Sequence, residues 1–202
     1  MEKNINKEMC SLCQGSCCKK SGCWYMPKDF ESMEYEYLKQ KIDEGFITIA
    51  GFYHTGFLHA DEWTYILVLK ARNIEQEIVD FTRNKSRCRM LTDTGCGYDD
   101  EKRPSYGKAL IPTHVGGPCK QPIERYETRR EWTKYQEVLN KLVFHYTNQL
   151  PYDYLMYQNK ILNDEFINIL IKGPYYTPKQ TDDIIENYLK EMQDLSRKRT
   201  NN

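Results

Sequence analysis

Phe46 to Leu69 reads FITIAGFYHTGFLHADEWTYILVL. Its two ends, Phe46–Tyr53 and Trp63–Leu69, are β-branched and aromatic, and this composition suits a pleated strand. The connecting HTGFLHADE carries turn chemistry and is long for a hairpin loop. An antiparallel pair is expected. Two strands alone are marginally stable in water. The ribbon is therefore expected to pack on an upstream helix and on a later cysteine segment.

Working outward, Phe30, Met33, Tyr37, Leu38 and Ile42 recur at helical spacing after Pro27, with Gly45 as a C-cap. Residues 73–83 read as a short helix with Ile74, Ile78 and Phe81 inward. From Ile123 onward the cysteines, and nearly all glycines, stop. Trp132, Tyr135, Leu139, Leu142 and Tyr146 step by three and four, which predicts one long amphipathic helix ended by Pro151. Ile161, Phe166, Ile167 and Leu170 suggest one or two shorter helices. Thr177-Pro178-Lys179-Gln180 has capping-box form before Ile184, Ile185, Tyr188, Leu189 and Met192. The fold class expected is α+β, mainly helical. Residues 1–122 form a cysteine-bearing unit with the β-ribbon, and 123–202 a helical extension packed on it.

The chemistry sits in the cysteines. CSLCQGSCCKKSGC, Cys10 to Cys23, holds five of the eight. Cys10 and Cys13 are spaced as Cys-x2-Cys, which brings two thiolates to one soft cation. Gly15 and Gly22 allow a tight backbone there. Cys17 and Cys18 are adjacent and point in different directions from an extended backbone. Either one is a bystander or the site holds more than one metal atom. Cys88 and Cys96 open a second region, CRMLTDTGCGYDDEKRP, and Cys119 follows a run of prolines and glycines. A segment so poor in apolar periodicity cannot fix itself by burial. Cys88, Cys96 and Cys119 are therefore expected to converge on Cys10, Cys13, Cys17 and Cys18 in one metal-bearing core. The alternative is two independent sites. A nucleophilic cysteine and a disulfide scaffold are the competing readings of the thiols.

Bulk properties narrow the partners. The formal net charge is zero, so nothing in the balance attracts nucleic acid or an anionic membrane. No apolar run approaches the ~18 residues of a membrane span. No apolar signal region precedes the first cysteine, so a cytoplasmic location with reduced thiols is expected. His54, His59 and His114 lack the spacing of a standard zinc site, and surface positions suit them better. Asp93, Asp99 and Asp100 fit a solvated turn. No phosphate loop, His-Glu-x-x-His or Gly-x-Ser-x-Gly occurs.

CSLCQGSCC, then YMPKDF, then CRMLTDTGC, then EKRPSYGKALIP and Cys119, resemble the cysteine-cluster proteins described as zinc- or iron-chelating. Their hallmark is Cys-x2-Cys followed closely by Cys-Cys. The resemblance spans residues 10–119 and leaves out the helical C-terminal part. Where many members carry a cysteine shortly after Arg-Pro, this chain has Ser105-Tyr106-Gly107. The family includes flagellin lysine methylases that act with an iron–sulfur cluster. The resemblance thus implies an iron–sulfur or zinc centre, with iron–sulfur favoured, and a protein- or peptide-modifying reaction. No ferredoxin spacing is present. The competing class is a non-catalytic module with a structural zinc site and a helical partner surface.

Overall fold

The computed structural model describes residues 12–16, 18–55, 63–82, 86–93, 95–98, 102–111, 113–116, 119–123 and 125–160. The expected helices beyond residue 160, the capping box at 177–180, His59, Asp99 and Asp100 lie outside them. The chain is of mixed α+β class. A 3-10 turn at Pro27–Asp29 leads to α1 (Tyr35–Asp43), β1 (Ile47–Thr55) and β2 (Trp63–Ala71). Short strands β3 (Leu91–Thr92) and β4 (Gly95–Cys96) follow, then a one-turn helix α2 (Ser105–Lys108). The last described elements are α3 (Arg125–Trp132), α4 (Gln136–Thr147) and α5 (Pro151–Lys160).

The expected hairpin is present. β1 and β2 pair antiparallel in the register Ile47↔Ala71 through Thr55↔Trp63. Both faces are buried: Ile49, Leu67 and Leu69 on one, and Thr48, Ala50, Ile66, Val68 and Lys70 on the other. The hairpin's outer edges are the problem such a structure must solve, because unpaired edge amides and carbonyls are costly when buried. On the β2 side, Tyr25 N–H donates to Leu69 O (3.0 Å) and Ala71 N–H to Cys23 O (2.8 Å). One step further, the Gln136 carboxamide stands in for a peptide group. Its Oε1 accepts from Leu67 N–H and its Nε2 donates to Leu67 O, both at 2.9 Å. On the β1 side, Ile49 N–H donates to Ile78 O and Asp80 N–H to Ile49 O. Gln158 closes that layer in turn, accepting from Phe81 N–H at 2.8 Å and donating to Val79 O at 3.4 Å.

That pairing corrects the reading of residues 73–83 as a helix. After a turn at 73–76 the segment runs extended beside β1 over residues 78–80, with Val79 and Phe81 buried and Ile74 exposed. The edge of β1 offers it hydrogen bonds that an isolated turn of helix cannot match. The upstream helix also starts later than its periodicity suggests, at Tyr35. The Asp29 carboxylate accepts from Met26 N–H and from both the N–H and the hydroxyl of Ser105, which ends the first turn and anchors α2. Gly45, at φ +85°, terminates α1 with its N–H on Ile42 O.

The long helix expected over Trp132–Tyr146 is interrupted by a 3-10 turn at Thr133–Tyr135. The break falls between two anchored residues. Trp132 Nε1 donates to Tyr25 O at 2.9 Å, while Gln136 is held by β2. Asn148, at φ 52°, caps α4, and Pro151 begins α5 as well as ending its predecessor. Trp132, Leu139, Leu142 and Val143 are fully buried against the hairpin and α1.

Gln136→Leu should keep the side chain's bulk while orphaning two buried peptide groups. Each such group costs ~1–3 kcal/mol. Urea unfolding is therefore expected to show a loss of about 3 kcal/mol or more, with Gln136→Glu intermediate.

Candidate functional site

The cysteine segments attach to the outer edge of β2. Residues 72–74 continue past that strand and pair with 87–89: Ile74 N–H donates to Arg87 O and Arg89 N–H to Arg72 O, each at 2.9 Å. Cys88 therefore lies beside Asn73, and its own N–H donates to Cys18 O at 2.8 Å. This one peptide hydrogen bond joins the two cysteine regions, and both Cys18 and Cys88 are buried. Asn73 tightens the junction by accepting from Gly22 N–H at 2.7 Å. Gly22 has no room for a side chain, since a Cβ there would sit 1.9 Å from Ala71 O. Gly15, at φ +66°, makes the other tight turn, against Leu91.

Cys13 belongs to a separate junction. Backbone N–H groups of Ser16 and Gly116 aim at its sulfur and lower its thiol below the usual range, Ser16 contributing most. The Ser16 hydroxyl also donates to Gly116 O at 3.3 Å. The 113–116 segment is thereby drawn onto the first cysteine turn, and Cys119 follows it, half-buried. Cys96 is exposed on β4. Cys23, outside the expected ligand set, packs on α2: a Cβ on Gly107 would lie 3.1 Å from its Sγ. Ser105-Tyr106-Gly107, which departs from the cysteine pattern, thus borders Cys23. Cys10 and Cys17 lie outside the described residues. Among the described residues, no three of His, Cys, Asp and Glu gather closely enough to hold a metal ion. His114 is exposed, its Nδ1 3.1 Å from Thr113 Oγ1. A buried ammonium on β2 acts electrostatically on two of these thiols, Cys88 and Cys23.

That ammonium belongs to Lys70, on a strand that is otherwise apolar, ILVLKA. It is only 4% exposed, and Nζ donates to Ser21 Oγ at 3.0 Å. Burial lowers its pKa, while Asp80, Cys88 and Cys23 act in the opposite sense. Sequence reasoning passed over it, although a lysine within such a run is itself a signal. A tyrosine pair lies on the same side of the molecule. Tyr25 donates its phenol proton to Tyr98 Oη at 2.9 Å. Burial pushes Tyr98 up to about 12 and Tyr25 far above its ordinary range, with Cys88 adding to both.

No family model, curated protein or solved structure matches the chain. Among the described residues, no helix is long and apolar enough to cross a membrane.

Two outcomes follow from this geometry. Gly22→Ala must displace the Ala71 peptide, so a stability loss of about 1–3 kcal/mol or more is expected. Limited proteolysis should then cut more readily near residues 18–23. The tyrosine pair makes stability fall with alkaline pH. Both phenols stay protonated in the native state while unfolded tyrosines ionise near pH 10. The contribution is intact below pH 10 and is lost as pH rises through about 12. Tyr98→Phe should flatten that part of a stability–pH profile measured by denaturant titration.

Proposed function

We propose that this chain is a cytosolic, cysteine-ligated metal-binding protein in which Cys10, Cys13, Cys17, Cys18, Cys88, Cys96 and Cys119 serve one metal-tied core. An iron–sulfur centre is favoured over zinc, and the helical C-terminal part packs on that core. The observation that carries the reading is the hydrogen bond from Cys88 N–H to Cys18 O, which brings the two cysteine regions side by side. The donors aimed at Cys13 support it, because N–H groups directed at sulfur favour the thiolate that metals require. Folding energetics support it as well. Structural metal binding contributes roughly 10–16 kcal/mol, comparable to the ~5–15 kcal/mol net stability of a domain.

Membership of the cysteine-cluster family, and with it a reaction on a protein or peptide, rests on the sequence resemblance. The geometry supports the adjacency of Cys18 and Cys88 alone. The second reading, a structural zinc staple beneath a helical partner surface, differs in spectrum and in ligand access. A structural zinc site is closed, whereas a catalytic metal keeps an open position.

Purification without oxygen, followed by metal and sulfide analysis and a visible spectrum, tests the proposal. A brown, sulfide-containing sample is expected. A colourless sample with stoichiometric zinc favours the staple, and a metal-free, fully folded sample overturns both. Cys88→Ser and Cys96→Ser should lose metal as Cys13→Ser does. Full metal content in the first two would refute a single core.

A further inference from the structure

Cys18 and Cys88 lie far apart in the sequence and meet at one peptide hydrogen bond, from Cys88 N–H to Cys18 O at 2.8 Å. A hydrogen-bonded pair of extended residues holds its Cα atoms roughly 5.5 Å apart. Disulfides span Cα separations of about 4.4–6.8 Å and need the two Cβ atoms to converge. The surroundings direct them toward each other. Cys88 is bridged antiparallel to Asn73, so these two side chains leave on the same face. The Asn73 carboxamide accepts from Gly22 N–H at 2.7 Å, so that face is the one covered by the 18–22 segment. From the other side, a Cβ added at Gly15 would lie 3.7 Å from Cys18 Cβ and 2.4 Å from Leu91 Cδ1. Leu91 N–H donates to Cys88 O at 3.1 Å, so Cys18 Cβ faces the turn that Cys88 opens. Both residues are present as thiols, 7% and 5% exposed.

We propose that Cys18 and Cys88 are a redox-sensitive pair that hydrogen peroxide converts into one disulfide, locking the first cysteine segment onto the 88–91 turn. The inference goes beyond the metal-binding reading and does not rest on it, because it concerns the metal-free chain. One sulfur attacks the peroxide: the O–O bond breaks, an S–O bond forms and water leaves. The second sulfur attacks the resulting sulfenic acid: the S–S bond forms, the S–O bond breaks and a second water leaves. Two thiols thus give up two electrons and two protons, and one peroxide is reduced to two waters. An oxidant of that size suits sulfurs lying just beneath the surface. The bond would close a loop that contains the whole β1–β2 hairpin, and a crosslink across so long a loop restrains the unfolded chain.

The test uses the full chain, stripped with a chelator, reduced, freed of reductant and exposed to hydrogen peroxide. Remaining thiols are alkylated, and the digest is mapped by mass spectrometry without reduction. Fragmentation should show Cys88 joined to Cys18 as the predominant crosslink, and dithiothreitol should release it. In urea, where the fold is lost, the same treatment should spread crosslinks over many cysteine pairs. Cys88 joined chiefly to another cysteine, or oxidised without any crosslink, overturns the proposal. Two variants separate Cys18 from its neighbour: Cys17→Ser should keep the Cys88 crosslink and Cys18→Ser should lose it, and the reverse result refutes the pair. The crosslinked parent should unfold at a urea midpoint about 1 M or more above the reduced form. A midpoint that holds or falls marks a bond the native fold does not accommodate, and also overturns the proposal. Metal content is read separately on untreated protein. The crosslink in a chain that binds neither iron nor zinc removes the metal reading alone, and metal binding without the crosslink removes this inference alone.

Discussion

Backbone hydrogen bonding along the edges of one hairpin is the constraint on which the structure depends. Residues 47–51 of β1 and 66–71 of β2 are buried, so water cannot readily satisfy the outward-pointing amides and carbonyls there. Two extended segments and two glutamine side chains take that role. Residues 23–25 and Gln136 line β2, and residues 78–80, backed by Gln158, line β1. Gln136 and Gln158 are both buried, and each replaces a missing peptide unit. The helices are thereby positioned twice, by apolar burial of Trp132, Leu139 and Leu142 and by these directed polar contacts.

The cysteine chemistry depends on the same edge. Residues 18–23 lie where they do because Ala71 donates to Cys23 O and Asn73 accepts from Gly22. Cys88 lies beside them because residues 87–89 pair with the continuation of β2. The sheet edge thus acts as a template that brings thiols from distant parts of the sequence to one side of the molecule. It also delivers Lys70 there, since the period-2 alternation of β2 directs that ammonium to one face.

Much of this was legible in the residues. The β-branched and aromatic runs at 46–53 and 63–69 marked the hairpin, and Gly45 marked the end of α1. The lack of apolar periodicity between residue 84 and Cys119 marked a turn-rich segment. The apolar step through Trp132, Leu139 and Leu142 identified the buried helical face, although not the break at Thr133–Tyr135. Residues 73–83 misled because Ile74, Ile78 and Phe81 satisfy helical spacing. Ile74 instead lies exposed in a turn, while residues 78–80 join the edge of β1 and bury Val79. Lys70 went unnoticed because periodicity weighs apolar positions and is silent about a single charge among them.

The sequence by itself determined the hairpin, the buried helical faces and the clustering of the cysteines, since propensity, turn chemistry and residue spacing are short-range properties. Tertiary structure decided which edge each extended segment joins, that two glutamines complete the sheet, and that Cys18 and Cys88 share a peptide hydrogen bond. It also decided that Cys23 packs on α2 and that Lys70 is buried with its ammonium on Ser21. These are contacts between residues separated by tens of positions, between Gln136 and Leu67 or Cys88 and Cys18. They arise from competition among buried polar groups for the few partners that the folded chain provides, and no local pattern encodes that competition.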